Sequence, residues 1–118
     1  MKQRQIFFVL LSVFFALTAS AHPADSIKLD LDSAGTILSI KVFHSSRDPG
    51  KHFIYKITIT LNKEPIIQQT FKRQLDNAVQ EAIYRIVDLK RKDKIEVTAV
   101  CNVAGKKSEV LIYDLPKE

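Results

Sequence analysis

His52-Phe53-Ile54-Tyr55-Lys56-Ile57-Thr58-Ile59-Thr60-Leu61 (HFIYKITITL) alternates in twos. Phe53, Tyr55, Ile57, Ile59 and Leu61 fall on one side of an extended chain, and Lys56, Thr58 and Thr60 on the other. That is the pattern of a strand with one face in a core. The same period extends outward in both directions. Upstream, Thr36 to His44 places Leu38, Ile40 and Val42 on a common face that His44 continues, and Ser26 to Asp32 does so with Ile27, Leu29 and Leu31. Ser33-Ala34-Gly35 turns the chain between them. Downstream, Asn62-Lys63-Glu64 reads as a hairpin turn into Pro65 to Lys72. Glu81 to Leu89 follows, with Ile83 and Val87 on one face and Ala82, Tyr84 and Ile86 competing for the core. Lys94 to Cys101 places Ile95, Val97, Ala99 and Cys101 together, and Lys107 to Leu115 closes the series. Seven strand-length runs, with room for a helical turn only between Lys72 and Ile83, predict an all-β domain. The expected architecture is an immunoglobulin-like antiparallel β-sandwich of about seven strands.

The first 21 of the 118 residues do not belong to this pattern. Lys2 and Arg4 precede twelve uncharged residues, Ile6 to Leu17, and Thr18-Ala19-Ser20-Ala21 follows with small residues at Ala19 and Ala21. This is the three-part layout of a secretory signal peptide. As a helix the apolar run would reach only about 18 Å, short of a hydrocarbon core of roughly 30 Å. The expectation is a leader over 1–21, cleavage before His22, and one periplasmic or secreted domain over 22–118 with no membrane attachment after cleavage. No cysteine adjoins the cleavage site to take a lipid, and no twin-arginine pair is present. Losing Lys2 and Arg4 lowers the net charge from +5 to +3, because all thirteen acids lie beyond the leader. The remaining surplus is interspersed, and Lys90-Arg91-Lys92 is interrupted at once by Asp93. No basic stripe with interleaved aromatics is present, which argues against a nucleic-acid partner.

Chemistry is concentrated in four residues of the mature chain: His22, His44, His52 and Cys101. One cysteine in an exported protein has no internal disulfide partner, so it is buried, ligated or paired with another chain. Taken singly, Cys101 extends an apolar face, His44 ends a strand and His52 opens one. Taken together, the loop between His44 and His52 returns both imidazoles to one end of the sandwich. Cys101 ends a late strand just before the Asn102-Val103-Ala104-Gly105 turn. Neutral imidazoles with a thiolate form a ligand set for iron, copper or zinc, whereas calcium and magnesium prefer oxygen.

His22-Pro23, the stretch from His44 through His52-Phe53-Ile54, and Val97-Thr98-Ala99-Val100-Cys101-Asn102 resemble the iron-binding domain of superoxide reductases and desulfoferrodoxins. The resemblance covers nearly the whole mature chain. It implies an immunoglobulin-like sandwich holding one mononuclear iron through equatorial histidines and an axial cysteine thiolate. His22, His44 and His52 would be equatorial ligands and Cys101 the axial one. The implied reaction is reduction of superoxide to hydrogen peroxide, with an external electron-donor protein as partner. The family's Cys-Asn-x-His-Gly motif reads Cys101-Asn102-Val103-Ala104-Gly105 here, so Ala104 stands where a fourth histidine is expected. The family's Glu-Lys pair before the first histidine is replaced by Ser20-Ala21. The loop of seven residues between His44 and His52 lacks the usual proline after the first histidine, and Lys51 offers a positive charge from another position.

Two other readings use the same residues. Cleavage before His22 would expose an α-amino group that could chelate copper together with the imidazole. A type-1 copper centre does not fit, because no histidine follows Cys101 and the mature chain has no methionine. The remaining reading is a metal-free immunoglobulin-like interaction module with a buried cysteine.

Overall fold

The computed structural model describes residues 22–114, so the leader reading of 1–21 lies outside the described residues. Seven strands run in chain order: β1 (Ser26–Leu31), β2 (Ile37–Phe43), β3 (Ile54–Leu61), β4 (Glu64–Thr70), β5 (Val79–Arg85), β6 (Lys94–Cys101) and β7 (Lys106–Ile112). All pairings are antiparallel. One sheet has the order β1-β2-β5 and the other β4-β3-β6-β7. In the constant-type immunoglobulin arrangement the fourth strand shares a sheet with the first, second and fifth. Here β4 has crossed to pair with β3, joined to it by a two-residue turn. Asn62 and Lys63 both take positive φ, 49° and 72°, with Leu61 opposite Glu64. That is a type I′ turn, whose twist matches the strands it connects.

The core lies between the sheets and is built from the alternating faces. Leu38, Ile40 and Val42 of β2 meet Ile57 and Ile59 of β3 and Ile95, Val97 and Ala99 of β6, all almost wholly buried. Each buried Ile, Leu or Val side chain contributes about 1.5–3 kcal/mol relative to exposure. Two departures from simple alternation matter. In β5 the buried positions are Gln80 and Ala82, followed just past the strand by Ile86, while Ile83 and Val87 are 69% and 77% exposed. The competing set named from the sequence therefore takes the core. The strand also starts earlier and ends sooner than its sequence period implies, and no helix forms between Lys72 and Ile83. Tyr84 closes that edge by donating its hydroxyl to Gln69 of β4.

The second departure is in β3. Its register against β6 shifts between Ile54 and Lys56, with Ile54 opposite Cys101 and Lys56 opposite Val100. Tyr55 is the extra residue of a β-bulge. The bulge reverses the parity of the strand's start, so Ile54 is fully buried and Phe53 and Tyr55 are only half-buried. Two residues before Ile54, His52 thereby comes to the inner side, next to the end of β6.

Candidate metal centre

His44 arrives at the site because it continues the buried face of β2, and it is completely buried. Its backbone N–H donates to the Ala78 carbonyl at 2.9 Å, just beyond the strand. Its Nδ1 lies 2.9 Å from Gln74 Oε1 and its Nε2 3.2 Å from the His22 carbonyl oxygen. His22 is brought in by the segment leading into β1. Asp25 N–H donates to the Phe43 carbonyl, extending the β1–β2 ladder toward the N-terminal side. Pro23 packs against Gly105, where a Cβ would come within 3.0 Å of the proline ring. Gly105 also has φ +87°, so glycine serves both the turn and the close approach.

His52 is held from three directions. Its N–H donates to the Asp48 carbonyl, its own carbonyl accepts from Ser46 Oγ, and its neighbours are pinned by Asn102. Asn102 accepts from Phe53 N–H at 2.8 Å and donates to the Lys51 carbonyl at 2.8 Å. Because Asn102 follows Cys101 directly, these bonds fix the imidazole against the thiol. His52 Nε2 lies 3.1 Å from Cys101 Sγ. The sulfur is buried, and the Cys101 N–H closes the turn by donating to the Gly105 carbonyl.

The three rings therefore cluster. Centroid separations are 4.8 Å for His22–His44, 5.4 Å for His22–His52 and 4.7 Å for His44–His52. One nitrogen from each lies within 4.8 Å of the other two, so the three histidines could hold a metal ion. Nitrogens bound to one ion at about 2.0–2.1 Å sit at most about 4.2 Å apart, so small side-chain rotations would complete the set. Cys101 adjoins the cluster through His52. Burial, then the charges that His44 and His22 would carry, lowers the pKa of His52 from its ordinary 6.5. That favours the neutral form, which binds metals.

A cleft of about 440 Å³ opens beside the cluster, lined by His22, Ser45, Ser46, Arg47, Asp48, His52 and Asn77. His22 and His52 face it, while His44 and Cys101 lie buried. Arg47 and Asp48 are the charged pair in this lining, to which Lys51 does not belong. Ala104 is exposed in the turn between β6 and β7.

Sequence reasoning did not find Gln74 or Arg47. Gln74 sits in Arg73-Gln74-Leu75, where no period marks one residue as buried, and the signal that exposes it is three-dimensional. Compared with known families and with curated proteins, the chain matches no family model and no curated sequence.

Proposed function

We propose that the protein is an exported mononuclear iron-binding protein of the superoxide reductase type, reducing superoxide to hydrogen peroxide with an external electron donor. The observation that supports it is the convergence of three imidazoles, of which His52 lies 3.1 Å from a buried thiol and, with His22, lines an open cleft. Three nitrogen donors with one sulfur suit a borderline transition metal. No carboxylate belongs to the cluster among the described residues, and the nearest approach is Asp25, 4.0 Å from His22 Nδ1. Iron is favoured over zinc or copper because the order of the ligands resembles that of the superoxide reductase iron domains.

Bound ferrous iron would supply the single electron that, with two protons, converts superoxide to hydrogen peroxide, and a donor protein would then restore it. The chain's own residues divide the remaining work. His44 and Cys101 hold the buried side, so solvent and substrate meet the centre from the cleft. His22 and His52 form the boundary between the two. Arg47 belongs to the lining of the same cleft, with Asp48 beside it as the opposite charge, so attraction of a small anion there would depend on Arg47 outweighing Asp48. A copper site using the His22 α-amino group would draw on the same imidazoles. The contact between Cys101 and His52 favours a centre that includes sulfur.

The test is stopped-flow mixing of iron-loaded, reduced protein from the exported fraction with superoxide, beside the Cys101→Ser variant. Faster decay of superoxide with the parent protein, together with a thiolate-to-iron absorption band absent from the variant, is the expected result. Equal rates would end the superoxide reading.

A further inference from the structure

Gln74 has no exposed surface, and all of its hydrogen-bonding capacity in the structure is directed at named partners. Its amide nitrogen lies 2.7 Å from the His44 carbonyl oxygen and 2.9 Å from the Asp76 carbonyl oxygen. Both partners are acceptors, so the amide orientation is settled: the –NH₂ group must face them. The Oε1 atom then points the other way, accepting from Ile54 N–H at 3.3 Å and lying 2.9 Å from His44 Nδ1. An amide oxygen cannot donate. The His22 carbonyl oxygen opposite Nε2 cannot donate either, so the choice falls to the contacts themselves: the one at Nδ1 is shorter, 2.9 Å against 3.2 Å, and wholly buried, which assigns the proton to Nδ1 and the lone pair to Nε2 in a neutral imidazole.

This matters because Nε2 then faces the His22 carbonyl oxygen at 3.2 Å, two acceptors with no donor between them. A metal ion bound at Nε2 would relieve that confrontation by taking up the lone pair. From this geometry, and resting on the metal-site reading above, we infer that Gln74 is a positioning residue that locks His44 in the Nδ1–H tautomer and so makes Nε2 the ligand atom. Gln74 does not touch the ion. It acts through His44, as outer-sphere hydrogen-bond partners of metal-binding histidines do. The acceptor is a neutral amide and not a carboxylate, so it orients the ring without pulling its proton toward an imidazolate.

The protein carries its own control. Gln80 is the other buried glutamine near the same loop, donating to the Ile54 and Arg73 carbonyls and accepting from Leu75 N–H. It ties the 73–75 segment to β3 as Gln74 does, with no hydrogen bond to a histidine among the described residues. Two measurements test the inference. In ¹⁵N-labelled metal-free protein, two-bond ¹H–¹⁵N correlation spectra at mildly alkaline pH should show His44 with a protonated Nδ1 and a bare Nε2. Zinc should then shift Nε2 while leaving the Nδ1 proton in place. In cobalt(II) titrations, Gln74→Met should weaken binding by about 10–100-fold, the range for lost outer-sphere partners, while Gln80→Met stays close to the parent. An Nε2–H tautomer for His44, or equal losses in the two variants, would overturn the assignment. The tautomer is read in parent protein without iron or superoxide, so it stands or falls apart from the proposed reaction.

Discussion

At His52 burial and two neighbouring imidazoles act in the same direction, lowering the pKa below 6.5. The sign of the consequence follows from proton linkage. Above the unfolded-state pKa neither state binds the proton and the group contributes nothing to pH dependence. As pH falls through about 6.5 the unfolded chain takes up a proton that the folded chain resists, so stability drops until the lower folded-state pKa is passed. The metal-free protein should therefore melt at a lower temperature near pH 5.5 than near pH 7.5, and His52→Gln should flatten that difference. Thermal scans at both pH values decide it. Asp32 and Asp93, held below the usual 3.8 mainly by the Ile37 N–H and the Asn62 amide respectively, act only at far more acidic pH, so the windows separate. Ala104 supplies the complementary test. It is exposed and precedes Gly105, whose Cβ position faces Pro23 beside His22, so Ala104→His tests whether an imidazole on this turn reaches the cluster. Iron affinity should rise, read by competition with a chelator, and an unchanged affinity would place the turn outside coordination reach. His44 and Cys101 were legible in the sequence because each extends an apolar alternation to its end. Gln74 was not, since its role depends on hydrogen bonds to His44, 30 residues away, and to Ile54, 20 residues away.

Among the elements, β3 shows both what alternation reveals and where it stops. Ile57, Ile59 and their partners on β6 follow the period of two, and the strand limits Lys94 to Cys101 match the observed β6. The bulge at Tyr55 breaks the period, and nothing in His52-Phe53-Ile54-Tyr55-Lys56 marks it, because every residue there except Lys56 can serve either face. That one inserted residue carries His52 from the outer to the inner side, so the site depends on a feature the pattern hides. The turn after β6 is the second device. Gly105→Ala introduces a Cβ at positive φ against Pro23, and the expected result is a displaced His22, with weaker cobalt(II) binding beyond any loss of stability. Lys63→Gly is its counterpart at the opposite end of β3. It relieves a non-glycine residue at φ 72°, and should raise stability by about 1 kcal/mol with metal binding unchanged. Denaturant titration and cobalt(II) titration of both variants separate the two roles, and equal binding in both would remove Gly105 from the site's support.

Over the whole molecule the two sheets form a scaffold whose ends differ. The end where β2 and β6 finish and β3 begins gathers His22, His44, His52 and Cys101, four residues spread over 80 positions of sequence. The opposite end holds the Asp32–Ile37 and Leu61–Glu64 turns and carries none of them. Antiparallel pairing is what makes this gathering legible in the sequence. A residue that ends one strand and a residue that begins the next must share a pole. The distances within that pole were not legible there, because they depend on the bulge, on Asn102 and on Gln74 acting together. The proposed chemistry rests on a single metal ion held by imidazoles and the Cys101 thiolate. X-ray absorption fine structure at the iron edge of the iron-loaded protein reads that ligand set at the metal itself. The expected spectrum has one sulfur scatterer at about 2.3 Å and a shell of nitrogen at about 2.0–2.1 Å, taking zinc distances as the guide, with the outer-shell scattering of imidazole rings. A first shell of nitrogen and oxygen alone, without sulfur, would contradict it.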